Sequence, residues 1–353
     1  MSYPALIIDK EKVRHNTALL VDKCKEHGVS VAAVSKVFCG IAEVAQAMVD
    51  GGAAMIADSR LENLKKLQSI KVPKMLLRIP MKSQAGQIIK YADISLNSEI
   101  ETIRAISEEA IKQGKVHNII LMTDLGDLRE GVWSENIVEF AGEVLCLKGI
   151  RLKGLGTNLT CYGGVIPNQD NLCKLIALAR QIEERYNIKL DIISGGNSSS
   201  LHLIFKDQMP EGINQLRLGE SIVLGLETAF GERIEGTYRD AFTFAAEIVE
   251  IKEKPTVPVG EIGMDAFGQK PVFEDKGKRR RGILAAGRQD ININGIIPRD
   301  KCISIFGGSS DHLLVDFTDC RSCYKIGDII EFDLTYGGLL AAATSEYVEK
   351  III

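Results

Sequence analysis

Short apolar segments alternate with helical patterns along the first 225 residues of the chain. The apolar segments are 29–36, 53–59, 74–80, 93–97, 118–124, 151–158, 190–196 and 215–220. Amphipathic segments separate them, such as IAEVAQAMVDGG (41–52), in which Gly51-Gly52 is a typical helix end. Eight strand–helix units in about 200 residues predict a (β/α)8 TIM-type barrel, and an open doubly wound sheet is the alternative.

The pattern changes after Thr228. Four later segments have strand length and a β-rich composition, with Gly, Pro and Asp turns between them: 241–253, 280–291, 312–319 and 328–336. We therefore predict an α/β chain of two domains, a barrel at residues 1–228 and a C-terminal all-β domain at residues 229–353.

Composition narrows the classes of partner and compartment. The chain has 353 residues and a formal net charge of −4, which gives no reason to expect nucleic acid or an anionic membrane as partner. No apolar run approaches the roughly 20 residues of a membrane-spanning helix, and the N-terminus lacks the pattern of a signal peptide. We expect a cytoplasmic protein whose eight scattered cysteines are reduced thiols. The C-x-x-C pair Cys320 and Cys323 predicts a surface turn.

Polar residues stand at the carboxyl ends of the predicted strands, where barrels of this kind assemble their active sites. Lys36 ends the first apolar segment, and is either a reactive amine or a lysine that reaches solvent. The other residues of interest follow strands five to eight: Arg129, Asn158, Gly196, Asn197, Ser198, Arg217, Gly219 and Glu220.

The loop GGNSSS (195–200) has the character of a phosphate site. Gly196 permits close approach of the backbone, Asn197 and Ser198 add side-chain donors, and Gly219-Glu220 follow the next strand. The alternative is a glycine turn with a serine helix cap. A lysine and a phosphate cradle together fit an aldehyde that carries a phosphate, and pyridoxal 5'-phosphate (PLP) satisfies both requirements.

With these motifs the chain resembles the alanine racemase family of PLP enzymes (fold type III), and in particular its ornithine racemase branch. The matching motifs are PALIIDKEKVRHN (4–16), VSKVFCG (34–40), MIADSRLENL (55–64), DLREG (127–131), NSSSLHL (197–203), RLGES (217–221), GGSSDHLLVDFTD (307–319) and KIGDIIEFD (325–333).

The resemblance implies roles for individual residues. Lys36 would bond to the cofactor aldehyde and serve as one catalytic base, Arg217 would face the pyridine nitrogen, and Tyr336 in LTYGG would contact the phosphate. Because a guanidinium does not usefully hand over a proton, the pyridine ring would stay largely unprotonated. The family also implies a homodimer in which each active site combines one subunit's barrel with its partner's β domain.

The chain departs from the family at the second base, a tyrosine in a motif of the form GYADG. Here the matching segment reads GRQDI (287–291), so Arg288 replaces the tyrosine. A guanidinium with a pKa above about 12 is a poor base, although it could hold the substrate carboxylate. Asp290, Asp311 and His312 are therefore the candidates for proton transfer. Asn158 stands in the place of a family histidine.

We expect a PLP-dependent racemase that interconverts L and D enantiomers of ornithine or another basic amino acid through two bases. A second substrate ammonium needs a carboxylate, and the candidates are Asp124, Asp127, Glu130 and Asp311. The alternatives are an alanine or broad-specificity racemase, a non-catalytic PLP carrier, an aldolase or decarboxylase on the same scaffold, and a cofactor-free phosphosugar enzyme. No metal is expected, because the order of Cys302, His312, Cys320 and Cys323 suggests no recognised site.

Overall fold

The computed structural model describes residues 2–265 and 267–353, whose contacts divide the chain into two compact units. One unit is Lys10–Arg239, and the other joins Asp240–Ile353 to the residues before Lys10. Residues 229–239 pack with the first unit, whereas the sequence places them in the β domain. Hydrogen bonds hold them there: Thr237 Oγ1 donates to the Gly225 carbonyl, and the Tyr238 amide donates to Asn16 Oδ1 at 2.8 Å.

The first part of the chain contains ten strands. They are β1 (Ala5–Ile8), β2 (Ser30–Val34), β3 (Met55–Asp58), β4 (Lys74–Leu76), β5 (Ile94–Asn97), β6 (His117–Asp124), β7 (Val132–Trp133), β8 (Ile150–Gly156), β9 (Ile192–Asn197) and β10 (Gln215–Leu218).

Nine α-helices lie between or after these strands. They are α1 (Lys10–Glu26), α2 (Ala42–Asp50), α3 (Leu61–Lys66), α4 (Ala85–Tyr91), α5 (Ile100–Lys112), α6 (Ile137–Leu145), α7 (Gln169–Tyr186), α8 (Leu201–Phe205) and α9 (Glu220–Leu224).

Eight of the strands close into a parallel barrel. The hydrogen-bonded order runs β2-β3-β4-β5-β6-β8-β9-β10, and β10 pairs with β2 to complete the circle. Each of the eight apolar segments in the sequence supplies one barrel strand, which confirms the predicted fold. The short strand β7 extends the sheet beside β6.

Alternate residues of the barrel strands form a common apolar interior. One buried cluster takes Ala32 and Val34 from β2, Ile94 and Leu96 from β5, and similar side chains from β3, β4 and β6. Because neighbouring residues of a strand point to opposite faces, the residues between them meet the surrounding helices instead.

Most strands of the second unit pair in the antiparallel direction. Its further strands are β11 (Phe242–Pro255), β12 (Lys278–Leu284), β13 (Ile296–Pro298), β14 (Ser304–Gly308), β15 (Leu313–Asp316), β16 (Ile329–Leu334) and β17 (Glu349–Ile352). The strand order is β13-β16-β11-β12-β15-β14, and β1 pairs antiparallel with β11 and parallel with β17. The predicted β domain is confirmed, and its sheet also takes in β1 from the N-terminus.

Buried aromatic rings fix the register of this sheet. Phe244 of β11 lies opposite Phe332 of β16, with ring centroids 6.1 Å apart, and both side chains are fully buried. One helix, α10 (Tyr336–Thr344), follows β16 and was not predicted. Thr335 caps it by accepting the Gly338 amide at its side-chain oxygen.

Two further observations concern the whole chain. Cys302 and Cys320 form a disulfide, so the expectation of reduced thiols is wrong for this pair, while the six other cysteines are reduced thiols. Within residues 2–265 and 267–353, every helix is too short or too polar to cross a membrane.

Candidate active site

Lys36 stands at the carboxyl end of β2. Ala32 and Val34 contribute to the barrel interior, and Lys36 continues the same alternation just beyond the strand. It begins a single turn of 3-10 helix, Lys36–Phe38, and is exposed while its neighbours Ser35 and Val37 are buried. The Lys36 side chain is therefore accessible, although the residues on either side of it lie in the core.

A buried carboxylate anchors the turn that carries Lys36. Asp58, at the end of β3, accepts hydrogen bonds from Ser35 Oγ at 2.6 Å, from Asn63 Nδ2 at 3.1 Å and from the Arg60 amide at 2.9 Å. Burial raises the pKa of Asp58, and these three donors oppose that shift. The network ties the ends of β2 and β3 together and so fixes the position of Lys36.

Arg217 lies on β10, the strand beside β2, in register with Ala32. Its guanidinium donates from Nη1 to Ser194 Oγ and from Nη2 to the Thr157 carbonyl at 2.7 Å. Burial lowers the pKa of Arg217 to about 10, and the nearby Glu130 carboxylate opposes that shift. Arg217 therefore remains a cation at neutral pH, held rigidly between three strand ends.

Arg129, Glu130, Asn158 and Asn197 form one hydrogen-bonded chain across three loops. Arg129 donates to both carboxylate oxygens of Glu130, with Nη2 at 2.7 Å from Oε1. Asn158 Nδ2 donates to the same Oε1 at 3.2 Å, and Asn197 Nδ2 donates to Asn158 Oδ1 at 2.9 Å. Burial opposes the charge of Arg129, but the bonds to Glu130 and Cys161 outweigh it and raise its pKa.

The end of β9 and the loop that follows it have the features of a phosphate cradle. Gly196 has φ +114°, and a Cβ atom there would lie 2.7 Å from Ser200 Oγ. Ser198 Oγ accepts the amides of Gly219 at 3.3 Å and Ser221 at 3.2 Å, which draws donors of two loops together. Ser199 Oγ is buried and has no hydrogen-bond partner within the described residues. This concentration of donors and glycine fits a phosphate ester.

Glu220 introduces a negative charge at the same end of the barrel. It begins α9, directly after Gly219, and is partly buried. Burial raises the pKa of Glu220, and the Lys36 ammonium opposes that shift. The Glu220 carboxylate and the Lys36 ammonium therefore lie near enough to interact electrostatically.

Two of the acidic candidates for binding a substrate ammonium accept hydrogen bonds from backbone amides instead. Asp124 Oδ1 accepts the amides of Gly126 at 2.8 Å and Leu128 at 3.3 Å. Asp127 is almost fully buried and accepts three amides of the loop after β8, those of Thr160, Tyr162 and Val165. Glu130 is thus the member of this acidic group that the structure places among the candidate side chains of the barrel.

Two loops of the β unit that hydrogen-bond to each other carry Arg288, Asp290, Asp311 and His312. The Arg288 amide donates to the Ser309 carbonyl at 2.9 Å, and Gln289 Nε2 donates to Asp311 Oδ1. The Arg288 guanidinium lies 4.6 Å from the centre of the Phe267 ring and donates from Nε to the Gly308 carbonyl.

The candidates for proton transfer differ in their exposure to solvent. Asp311 and His312 are exposed, whereas Asp290 is 7% exposed and accepts the Gly287 amide at 2.8 Å. Burial raises the pKa of Asp290, Asp311 adds to that shift, and the Gly287 amide opposes it. Tyr336 is the first residue of α10 in the same unit.

Comparison with known proteins places this geometry in a family. The family described as alanine racemase, N-terminal domain, matches residues 8–226. The chain belongs to the alanine racemase family. It is 49% identical to an ornithine racemase of Acetoanaerobium sticklandii over 352 residues, which cover 99% of this chain and 100% of that protein. It is 38% identical to a lysine racemase of Thermotoga maritima over 353 residues, with 99% of each chain covered. The predicted ornithine racemase branch is thereby confirmed.

Solved structures agree with the fold. An alanine racemase of Clostridium difficile 630 superposes with a TM-score of 0.76 at 17% identity, over 100% of this chain and 96% of that one. A D-threonine aldolase from Filomicrobium marinum superposes with a TM-score of 0.73 at 15% identity, over 98% and 90% of the two chains. At such identities the likeness concerns the architecture.

The pairing of Arg129 with Glu130 is the feature of the site that sequence reasoning missed. The sequence indicated Glu130 only as one of several carboxylates that could bind a substrate ammonium. Its two partners, Arg129 and Asn158, lie 1 and 28 residues away along the chain. The adjacent Arg-Glu pair was a visible signal, but its link to Asn158 depends on β6 and β8 being neighbours in the barrel.

Proposed function

We propose that the chain is a PLP-dependent amino-acid racemase that acts on a basic amino acid, with ornithine as the first choice and lysine as the second. The observation that carries the proposal is the placement of Lys36 and Arg217 at the carboxyl ends of the paired strands β2 and β10, beside the donor-rich loop that follows β9. The identity of 49% to an ornithine racemase supports the choice of substrate.

We assign different parts of the cofactor to different residues of the barrel. Lys36 would supply the amine for the aldehyde, and Arg217, whose guanidinium is fixed by Ser194 and Thr157, would bind on the side of the pyridine nitrogen. We assign the phosphate to Gly196, Asn197, Ser198, Gly219 and Glu220, the last through its backbone, together with Tyr336. Asn158 and Arg129 complete the ring-binding set. PLP, when bound, supplies the electron sink that makes the α-proton of an amino acid acidic.

Racemisation then requires a proton acceptor and donor on each face of the substrate α-carbon. Lys36 is the base on one face. For the other face we propose a group on the Arg288 loops of the partner subunit, with Arg288 holding the substrate carboxylate and Asp290, Asp311 or His312 moving the proton. Burial raises the pKa of Asp290, which is the direction that suits a proton carrier, whereas Asp311 and His312 are more exposed.

This arrangement implies a homodimer, since each site would take its second base from another copy of the chain. We also propose a cytoplasmic enzyme, since six of the eight cysteines are thiols in the structure, as is usual in a reducing compartment.

The test is an isotope experiment with four substrates. Purified protein with PLP is incubated with L-ornithine, L-lysine, L-arginine or L-alanine in deuterium oxide, and optical rotation and α-deuterium content are followed together. We expect loss of rotation with gain of deuterium, fastest for ornithine. Lys36→Ala should abolish both and remove the absorbance of bound PLP, while Lys65→Ala, a change at an exposed lysine of α3, should alter neither.

Other outcomes would identify the alternatives. Exchange with alanine alone, or with all four substrates equally, would indicate an alanine or broad-specificity racemase. A Lys36-dependent absorbance with no exchange from any substrate would indicate a cofactor carrier. Deuterium gain with full retention of rotation would contradict a two-face mechanism.

A further inference from the structure

Two loops of the β unit bring together side chains that the proposed reaction does not use. One loop joins β13 to β14 and carries Asp300 and Cys302, and the other follows β15 and carries Cys320 and Cys323. Both sulfur atoms of the Cys302–Cys320 disulfide and a carboxylate oxygen of Asp300 lie within 4.8 Å of one another. The side chains of Asp300, Cys302 and Cys320 are all partly exposed.

The Asp300 carboxylate is held in place by other groups of these loops. Tyr324 donates its hydroxyl to Asp300 Oδ2 at 2.5 Å, and the Cys302 amide donates to Oδ1 at 3.1 Å. The Tyr324 ring packs on Phe317 with centroids 4.8 Å apart, and Arg280 Nη2 donates to the Tyr324 carbonyl at 2.7 Å. A neutral disulfide gains little electrostatic stabilisation from a carboxylate fixed beside it. A cation bound by the carboxylate and the two sulfur atoms would be stabilised strongly.

The spacing of the ligands agrees with this reading. Cys320 and Cys323 form a C-x-x-C pair, and Asp300 and Cys302 form a D-x-C pair on the opposite loop. Structural zinc sites are commonly built from two such short pairs on neighbouring loops, with four sulfur, nitrogen or oxygen ligands in a tetrahedron. Lys301 and Arg321 lie within the same two pairs and would offset the negative charge of the thiolates.

We propose that, when the disulfide is reduced, Asp300, Cys302, Cys320 and Cys323 form a structural Zn²⁺ site. Cys302, Cys320 and Asp300 already converge, and Cys323 supplies the fourth ligand by its spacing from Cys320. This departs from the sequence expectation that the chain binds no metal, which rested on the order of the soft ligands alone. The order of ligands along the chain did not show that the two loops lie side by side.

The change of state balances in electrons and protons. A dithiol reductant gives two electrons to the Cys302–Cys320 bond and becomes a disulfide itself, which leaves two protein thiols. Zinc then replaces the thiol protons of Cys302, Cys320 and Cys323, which pass to solvent, while the Asp300 carboxylate binds as an anion. Disulfide and zinc are therefore mutually exclusive occupants of one pair of loops.

Zinc binding to the full-length protein tests the site directly. The chain is reduced with a dithiol, stripped with a chelator, and titrated with Zn²⁺ alone against a competing metal dye. We expect one zinc per chain, a rise in the thermal unfolding temperature on zinc addition, and loss of both effects after the disulfide is re-formed. Cys302→Ser and Cys320→Ser should abolish zinc binding, while Cys146→Ser, a change at an exposed free cysteine of the barrel unit, should not.

Cobalt substitution tests the individual ligands. Co²⁺ should give the intense absorption of thiolate coordination, which should weaken in Cys323→Ser and keep its intensity but shift in Asp300→Asn. Absence of stoichiometric zinc in the reduced wild-type chain, or zinc uptake by Cys302→Ser equal to wild type, would overturn the site, and an unchanged cobalt spectrum in Cys323→Ser would overturn its fourth ligand. Circular dichroism shows whether each variant is folded, and none of these readouts depends on racemase activity.

Discussion

Glu130 is the residue on which the two arginines of the barrel site depend. Its carboxylate binds Arg129 through two hydrogen bonds and accepts a third from Asn158, and its charge opposes the fall in the pKa of the buried Arg217. It touches neither the cofactor nor the reacting atoms in our assignment. Glu130 is therefore a positioning residue that sets where Arg129 can reach.

Glu130→Gln should lower the efficiency of the racemase without unfolding it. Glutamine retains an oxygen for Asn158 but loses the charge that holds Arg129. We expect kcat/KM for ornithine to fall by about 10-fold to 100-fold, the range of one hydrogen bond to a charged group at roughly 1.5–3 kcal/mol. Weaker binding of PLP, followed by its absorbance, should accompany the fall, since Arg129 of the ring-binding set would be displaced and Lys36 would not.

Glu135→Gln, which changes an exposed carboxylate of the same segment, is the matched control and should leave kcat/KM unchanged. Glu130→Asp should restore part of the loss, because a shorter carboxylate retains the charge. Full activity in Glu130→Gln would show that Arg129 needs no partner.

For single residues, the sequence predicts where a side chain stands along a strand better than it predicts which groups that side chain hydrogen-bonds to. Lys36 could be chosen because it ends an apolar segment and Arg217 because it is a charged residue within another, and the two-residue alternation of strands places both with the barrel interior. Asp124 and Asp127 could not be told from Glu130, because whether a carboxylate meets backbone amides or side chains depends on how its loop turns.

At the scale of elements, the pair β5 and β6 encloses a polar contact on the side away from the barrel interior. Ser95 Oγ of β5 lies 2.9 Å from His117 Nε2 of β6, and His117 is 4% exposed. Burial lowers the pKa of His117 to about 4 from an ordinary value of 6.5, and Asp93 opposes that shift. The imidazole is therefore neutral in the folded protein throughout the physiological range.

This histidine should make the folded state sensitive to acid. Between pH 6.5 and about 4 the unfolded chain binds more protons at this side chain than the folded chain does. The stability that neutral His117 provides is thus complete above pH 6.5 and is lost as the pH falls toward 4. The shift corresponds to roughly 3 kcal/mol at its largest.

We expect His117→Gln to flatten this part of the curve of unfolding free energy against pH, measured by denaturant titration. His15→Gln, at an exposed histidine of α1, should leave the slope as in wild type. An imidazole signal of His117 that titrates near 6.5 by NMR would refute the argument.

The elements themselves were largely predictable. Eight apolar segments gave eight barrel strands because a strand covered on both faces is apolar throughout its length. The helix α10 was missed because its sequence, YGGLLAAAT, has paired glycines and no polar face. The place of β1 was missed as well, since its pairing with β11 spans more than 230 residues of chain and leaves no local signal.

At the scale of the whole molecule, the proposed mechanism divides its residues between two copies of the chain. Lys36 belongs to the barrel unit and Arg288 to the β unit, and we propose that each working site takes Lys36 from one copy and Arg288 from the other. Two chains with different inactivating substitutions can then regain activity when they form a mixed dimer. Both substitutions fall in one of its two active sites, and the other active site is intact.

Complementation between Lys36→Ala and Arg288→Ala tests this division. Each variant alone should racemise ornithine poorly, whereas chains co-expressed with different tags and purified as mixed dimers should regain about half of the wild-type rate, since one of two sites is whole. Mixed dimers that carry Lys36→Ala in both differently tagged chains are the control and should stay inactive. If each site were built within a single chain, every site of the first mixture would lack one residue, and no activity would return. That result would remove the partner's loops from the mechanism and leave the second base to be sought elsewhere in the same chain.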